Sequence, residues 1–179
     1  CEALIRRRRS GQSYDPNGTI SRGRFLSLLD KTLPRADTPP FDAFDWGPFC
    51  HLLIFVHNVT GLDAGLYLLV RRPGDLEALR KACRSTFAWT PVDPEIPLFL
   101  LEKGDVRQLS QWVSCHQEIA GRGAFSLGMI ARFASVVRRH PFLYRSLFWE
   151  AGLIGQVLYL EAEAAGLRGT GIGCFFDDL

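Results

Sequence analysis

The chain has 179 residues, of which 47% are hydrophobic and 22% charged, and its formal net charge is +2 at pH 7. This balance suits one domain with its own core and excludes a disordered chain. A charge this small excludes an argument for a nucleic-acid partner from charge alone. The longest apolar run, 142–167, is interrupted by Arg145, Glu150, Gln156, Glu161 and Glu163, which speaks against a bilayer span.

In chain order, CEALIRRRRSG places Arg6–Arg9 ahead of Ser10 and Gly11. In SRGRFLSLLDKTL, Ser21 is placed to cap a helix whose apolar face is Phe25, Leu28 and Leu29. Pro34, Pro39 and Pro40 make 34–48 an irregular loop. HLLIFVH (51–57) and LYLLVRR (66–72), joined through GLDAG, predict a β-hairpin. Asp75 is placed to cap a helix ending near Arg84, and IPLFLLEKG (96–104) reads as a buried strand.

The stretch 105–121 predicts a helix with Val106, Leu109, Trp112, Val113 and His116 on one side. GAFSLGMIARF (123–133) fits strand and helix equally, because a short apolar run does not discriminate between them. A long buried helix follows, with Gly166 as its C-terminal cap, and then a glycine-rich extended segment. Helices and strands mix without strict alternation of βαβ units, so the expected class is α+β. All of 1–179 is read as a single domain.

The five cysteines, at positions 1, 50, 83, 115 and 174, are odd in number and show no CxxC spacing. The expectation is a reduced, cytoplasmic protein without a disulfide framework or metal site. The chain opens at Cys1 without a methionine or leader pattern and so reads as a fragment or an excerpt of a longer protein.

Gly169, Gly171 and Gly173 follow a helix with G-x-G-x-G spacing, which is not the strand–GxGxxG–helix fingerprint of dinucleotide-binding folds. Spacing alone leaves two readings: a small-residue turn packed on the helix, or a backbone kept bare for a ligand. Arg6–Arg9 likewise read as a solvated basic stretch or, with Ser10 behind them, as a phosphate site. Cys115 and His116 point about 100° apart on a helix, so a core cysteine beside a hydrogen-bonded histidine is expected rather than a catalytic dyad. Glu150 is expected to satisfy local backbone or an arginine, with proton handling as the alternative.

Taken in order, RRSGQSYD (8–15), GLDAGLYLL (61–69), SCHQEIAG (114–121) and WEAGLIGQVLYLEAEAAGLRGTGIGCFFDD (149–178) resemble the nitroreductase family. Within it they resemble the branch of dehydrogenases that mature thiazoline- and oxazoline-containing peptides. The resemblance implies a mixed, antiparallel sheet packed with helices around a long central helix. It also implies an intertwined homodimer and flavin mononucleotide (FMN), with hydride passing through flavin N5 and NAD(P)H as a candidate donor. The substrate class it implies is a small molecule or a modified peptide, with neither nucleic acid nor membrane as partner. Carried onto this chain, Arg8, Arg9 and Ser10 would bind phosphate and ribityl, and Gln12 would face the pyrimidine edge. Gly47 would keep the loop shape beside the ring, Trp46 would either stack over the flavin or fill its space, and Gly173 with Cys174 would address N5.

The chain departs from that pattern in four places. Gln12 stands where the family has a cation, and FDWGPFCH (44–51) replaces a small-residue stretch. The family's C-terminal strand or arm is expected to be missing after Leu179, and no lysine–tyrosine pair suited to azoline oxidation is present. These departures support the alternative expectation, a flavin-free scaffold or partner domain of the same fold.

Overall fold

The apolar run HLLIFV lies in the strand Cys50–Val56, which is buried along nearly its whole length because helices cover the sheet on both faces. The structure, a computed structural model, describes residues 2–176. In chain order its elements are α1 (Glu2–Arg7), β1 (Ile20–Ser21), α2 (Arg22–Asp30), β2 (Cys50–Val56), β3 (Val59–Thr60), β4 (Gly65–Leu69) and α3 (Leu76–Ala82). They continue with β5 (Thr90–Pro91), β6 (Leu98–Lys103), α4 (Arg107–Val113), α5 (Ile119–Arg122), β7 (Phe125–Ala131), α6 (Phe133–Arg139) and α7 (Tyr144–Ala164).

The main sheet has five strands in the order β5-β6-β4-β2-β7, and every pairing is antiparallel. The expected hairpin is β2 with β4, in register at Leu52 with Leu69, Ile54 with Tyr67 and Val56 with Gly65. β1 and β3 form a separate two-stranded parallel pair. Glycine is required at Gly65, where a Cβ would lie 2.3 Å from the Glu102 carbonyl oxygen, next to a register shift between β4 and β6.

One sheet face sets Leu52, Ile54, Val56, Tyr67 and Leu69 in a core with Phe25 and Leu29 of α2 and Ile154 of α7. The opposite face sets Phe55, Leu66, Leu68 and Leu101 against Leu79, Trp89 and Val106. Ser21 caps α2 as expected, its side chain accepting from Arg24 N at 3.4 Å. The ambiguous 123–133 segment is strand β7, paired along its whole length with β2.

Four expectations are corrected. The helix foreseen over 105–121 breaks: Cys115 and His116 adopt φ of 54° and 59°, which divides α4 from α5 and turns Leu109 and Trp112 outward. Cys115 is half-buried and His116 exposed, so the core-cysteine reading fails with the helix. The cysteines are not all reduced: Cys115 and Cys174 form a disulfide across 59 residues, a tertiary pairing that local spacing does not announce. α7 is only partly buried, with Ile154 at 0% but Phe148 and Trp149 at 61% and 52% exposure.

Gly166 (φ 73°) closes α7 as expected. Its N–H donates to Glu163 O, and Leu167 N–H donates to Ala162 O, the paired bonds of a Schellman cap. Residues 168–176 then run without regular secondary structure.

Candidate functional site

The last turns of α7 bring the two ends of the described chain together. Arg7 Nε donates to Glu163 Oε1 at 2.7 Å, and Arg168 pairs with the other oxygen of that buried carboxylate. Gly11 N–H donates to Gly169 O at 2.9 Å, Thr170 Oγ1 donates back to Gly11 O, and Tyr14 Oη donates to Thr170 Oγ1 at 3.0 Å. Glycine at 11 avoids a clash, because a Cβ would stand 2.8 Å from the Tyr14 hydroxyl.

Tyr159 organises this end. Its hydroxyl lies 3.0 Å from Ser10 Oγ and accepts from Gly171 N–H at 2.6 Å, and the Arg8 guanidinium lies 4.7 Å over its ring. Arg9 Nη1 donates to the carbonyls of Arg6 and Arg8, both at 2.8 Å. Among the described residues neither Arg8 nor Arg9 has a carboxylate partner, unlike Arg6 and Arg7. Gln12 is exposed, one residue beyond the Gly11–Gly169 bond.

Gly169 and Gly171 cross the Tyr159 ring where a Cβ would make only ordinary contact at 3.6 Å, and around Gly173 nothing lies within 4 Å. The chain's own packing therefore does not demand these glycines. Gly169 and Gly171 leave a bare main chain along the Tyr159 ring, over which the Arg8 guanidinium also lies.

Trp46 and Gly47 lie elsewhere. Trp46 stacks on Phe44 with ring centroids 4.5 Å apart and tilts against Trp149 at 6.1 Å. Its buried Nε1 has no hydrogen-bond partner among the described residues. Trp149 and Tyr159 are ten residues apart on α7, which is about 15 Å along the helix. Gly47 is exposed, and nothing lies within 4 Å of where its Cβ would be.

Gly173 and Cys174 lead away from Tyr159 toward α4. Cys174 Sγ is bonded to Cys115, Phe176 N–H donates to Val113 O at 2.8 Å, and Phe176 meets His116 edge-on at 5.7 Å. Asp177 and Asp178 of the FFDD motif lie outside the described residues.

Glu150 finds an arginine, as expected, but sequence reasoning missed the buried polar network around it. Glu150 Oε2 accepts from Phe49 N–H at 2.7 Å, and Oε1 accepts from Arg71 Nη1. Arg71 Nε donates to Thr32 O at 2.7 Å, and Nη1 donates to Cys50 O at 2.9 Å. His51 Nδ1 accepts from Arg71 N–H at 3.2 Å, so the proton sits on Nε2, which donates to Asp75 at 3.2 Å. Burial lowers the His51 pKa more than Asp75 raises it, so the ring is neutral. Burial alone would raise the Asp75 carboxyl, but Arg72, Arg132 and His51 outweigh it and hold it below the usual range. Asp75 stands at the head of α3, yet its side chain serves this network instead of capping the helix. The available signal was VRRPGD (70–75), which places charged residues directly after an apolar strand.

A cavity of about 570 Å³ opens beside this network, lined by Phe41, Phe44, Arg35, Arg71 and Arg72 among others. Its arginines are paired with Asp30, Glu150 and Asp75, so it offers little free charge. Among the described residues no His, Cys, Asp or Glu cluster could hold a metal, and no helix is long and apolar enough to cross a membrane.

No protein-family model matches the chain, and no curated protein is similar to it. Among solved structures it is similar to the crystal structure of a protein from Anabaena variabilis ATCC 29413 assigned as a nitroreductase. The TM-score is 0.74 and the identity 23%, over 99% of this chain and 33% of the other. The chain thus spans about a third of that protein's length. The fold is nitroreductase-like, in the α+β class that the sequence predicts.

Proposed function

We propose that the chain is an FMN-dependent oxidoreductase domain whose phosphate-binding end is Arg8, Arg9 and Ser10. The carrying observation is the convergence at Tyr159: residues 8–11, expected at the phosphate, lie against 169–171, which lead on to Gly173 and Cys174, and among the described residues Arg8 and Arg9 have no carboxylate partner. When bound, the flavin supplies hydride transfer through N5. Arg8 and Arg9 hold its phosphate by charge-assisted hydrogen bonds worth about 1.5–3 kcal/mol each. Ser10 and the Tyr159 hydroxyl offer polar contacts to the ribityl chain. Gln12 gives the pyrimidine edge hydrogen bonds without a charge. Gly173 offers main chain toward N5, as does Cys174, whose sulfur is committed to Cys115.

The order of RRSGQSYD, GLDAGLYLL, SCHQEIAG and the α7–GIGCFFDD stretch supports placement beside the azoline-forming peptide dehydrogenases, with a small molecule or modified peptide as substrate and NAD(P)H as donor. The exposed aromatics Phe133, Tyr144, Phe148 and Trp149 suit a homodimer packed along α6 and α7. Sedimentation velocity checks this: the expected species is near 40 kDa, twice the 20.1 kDa chain.

A second reading, a flavin-free scaffold, is favoured by Trp46, one face of which is taken by Phe44, and by the uncharged Gln12. Visible absorption after gel filtration with added FMN separates the two. Retained flavin bands, weakened about 10- to 100-fold in affinity by Arg8→Ala, support the oxidoreductase. A colourless protein that gains no flavin from Gln12→Arg supports the scaffold.

A further inference from the structure

The Cys115–Cys174 bond joins two surfaces that little else connects. Cys174 is exposed and Cys115 half-buried, so an attacking thiolate can reach the Cys174 side. Within 172–176 the remaining ties among the described residues are one backbone hydrogen bond, Phe176 N–H to Val113 O, and the edge contact of Phe176 with His116. Phe175 and Phe176 are 67% and 42% exposed, so little apolar burial holds them. By contrast, residues 169–171 are anchored independently through Tyr159, Gly11 and Tyr14. The bond therefore governs the position of 172–176 without being needed to place the segment before it.

The other end of the bond is also shaped to let it open. Cys115 and His116 form a positive-φ turn between α4 and α5, outside both helices, so opening the bond breaks no helical hydrogen bond. Two other cysteines lie apart from this exchange. Cys50 is buried and its thiol is pushed up to about 12, first by burial and then by the Glu150 carboxylate. Cys83 is half-buried on the opposite sheet face, and burial raises its thiol too.

We propose that Cys115–Cys174 is a thiol–disulfide exchange site for a dithiol reductant, and that its opening releases 172–176 from α4. One thiolate of the reductant attacks Cys174 Sγ, forming a mixed disulfide and expelling Cys115 as thiolate. The reductant's second thiolate attacks its own sulfur in that mixed bond and expels Cys174. The reductant leaves as a disulfide, two electrons have passed to the cysteine pair, and the two protons it lost end on Cys115 and Cys174. Exchange at this site does not depend on a bound cofactor.

The test uses the full chain purified without reductant and dithiothreitol as the probe. Thiols are located by iodoacetamide labelling and peptide mapping, and amide exchange is followed by mass spectrometry. Under native conditions Cys115 and Cys174 become labelled together and Cys50 stays unlabelled. Over the first minute, exchange in 172–176 rises at least tenfold while β2 and β4 remain protected. Cys115→Ser and Cys174→Ser each show the fast exchange already and respond no further to dithiothreitol. A bond that yields only after denaturation, free Cys115 and Cys174 thiols in the untreated protein, or unchanged exchange after reduction would each overturn the proposal.

Discussion

Glu150 is 1% exposed, and Arg71 and two backbone N–H groups surround its carboxylate. Removing the carboxylate strands the buried Arg71 guanidinium, whose Nη2 already lacks a partner among the described residues. Glu150→Ala is expected to cost about 3–5 kcal/mol, read as a lowered urea midpoint. The histidines set the acid limit. His57 Nε2–H donates to Ala120 O at 3.0 Å, leaving Nδ1 buried and unpartnered among the described residues, and burial lowers its pKa as it does that of His51. Between the folded value and the ordinary one near 6.5, the unfolded chain binds the extra proton. Stability therefore falls as pH drops below about 6.5, by up to about 1.4 kcal/mol per unit for each ring. Asp75, held below its ordinary 3.8, adds a further loss under that pH. Urea midpoints measured from pH 8 to 4 check the slope, and a flat profile would refute it.

The elements that alternate or repeat strongly were the legible ones. β2 and β4 declare themselves as apolar runs around GLDAG, and α7 as a long periodic stretch ending at Gly166. The break between α4 and α5 was not legible, because cysteine and histidine carry little local signal for positive φ. β7 was ambiguous for a different reason: only its pairing with β2 decides that an apolar heptamer is a strand. Helix α7 carries its apolar contact through Ile154, which is fully buried between α2 and the sheet. Ile154→Ala is expected to cost about 2–5 kcal/mol in thermal or urea unfolding. Substituting exposed Phe148 instead should leave monomer stability nearly unchanged.

At the scale of the molecule, the convergence of residues 8–14 with 159–171 was not legible, since no local pattern links segments so far apart and the resemblance pointed only to Arg8, Arg9 and Ser10 sharing a cofactor with Gly173 and Cys174. The Arg71–His51–Asp75 network escaped because His51 and Arg71 look like ordinary ends of strands and Asp75 like a helix cap. The disulfide is a property of the assembled fold as well. It closes a loop spanning 59 residues, for which chain entropy sets a stabilisation of up to about 4 kcal/mol. The loss in Cys115→Ser is expected to stay below that bound, because a freed tail regains disorder in the native state.

The meeting of Gly11 with Gly169 also bears on how the chain is made. Ser10, directly behind Arg8 and Arg9, is synthesised 149 residues ahead of Tyr159, and Thr170, which also ties down this end, follows later still. At ordinary elongation rates that wait is on the order of ten seconds. The sheet can assemble during it, yet the arginine end stays unsupported until translation of this stretch is nearly finished. A nascent chain arrested near residue 150 would therefore carry a formed hairpin and no phosphate-binding end.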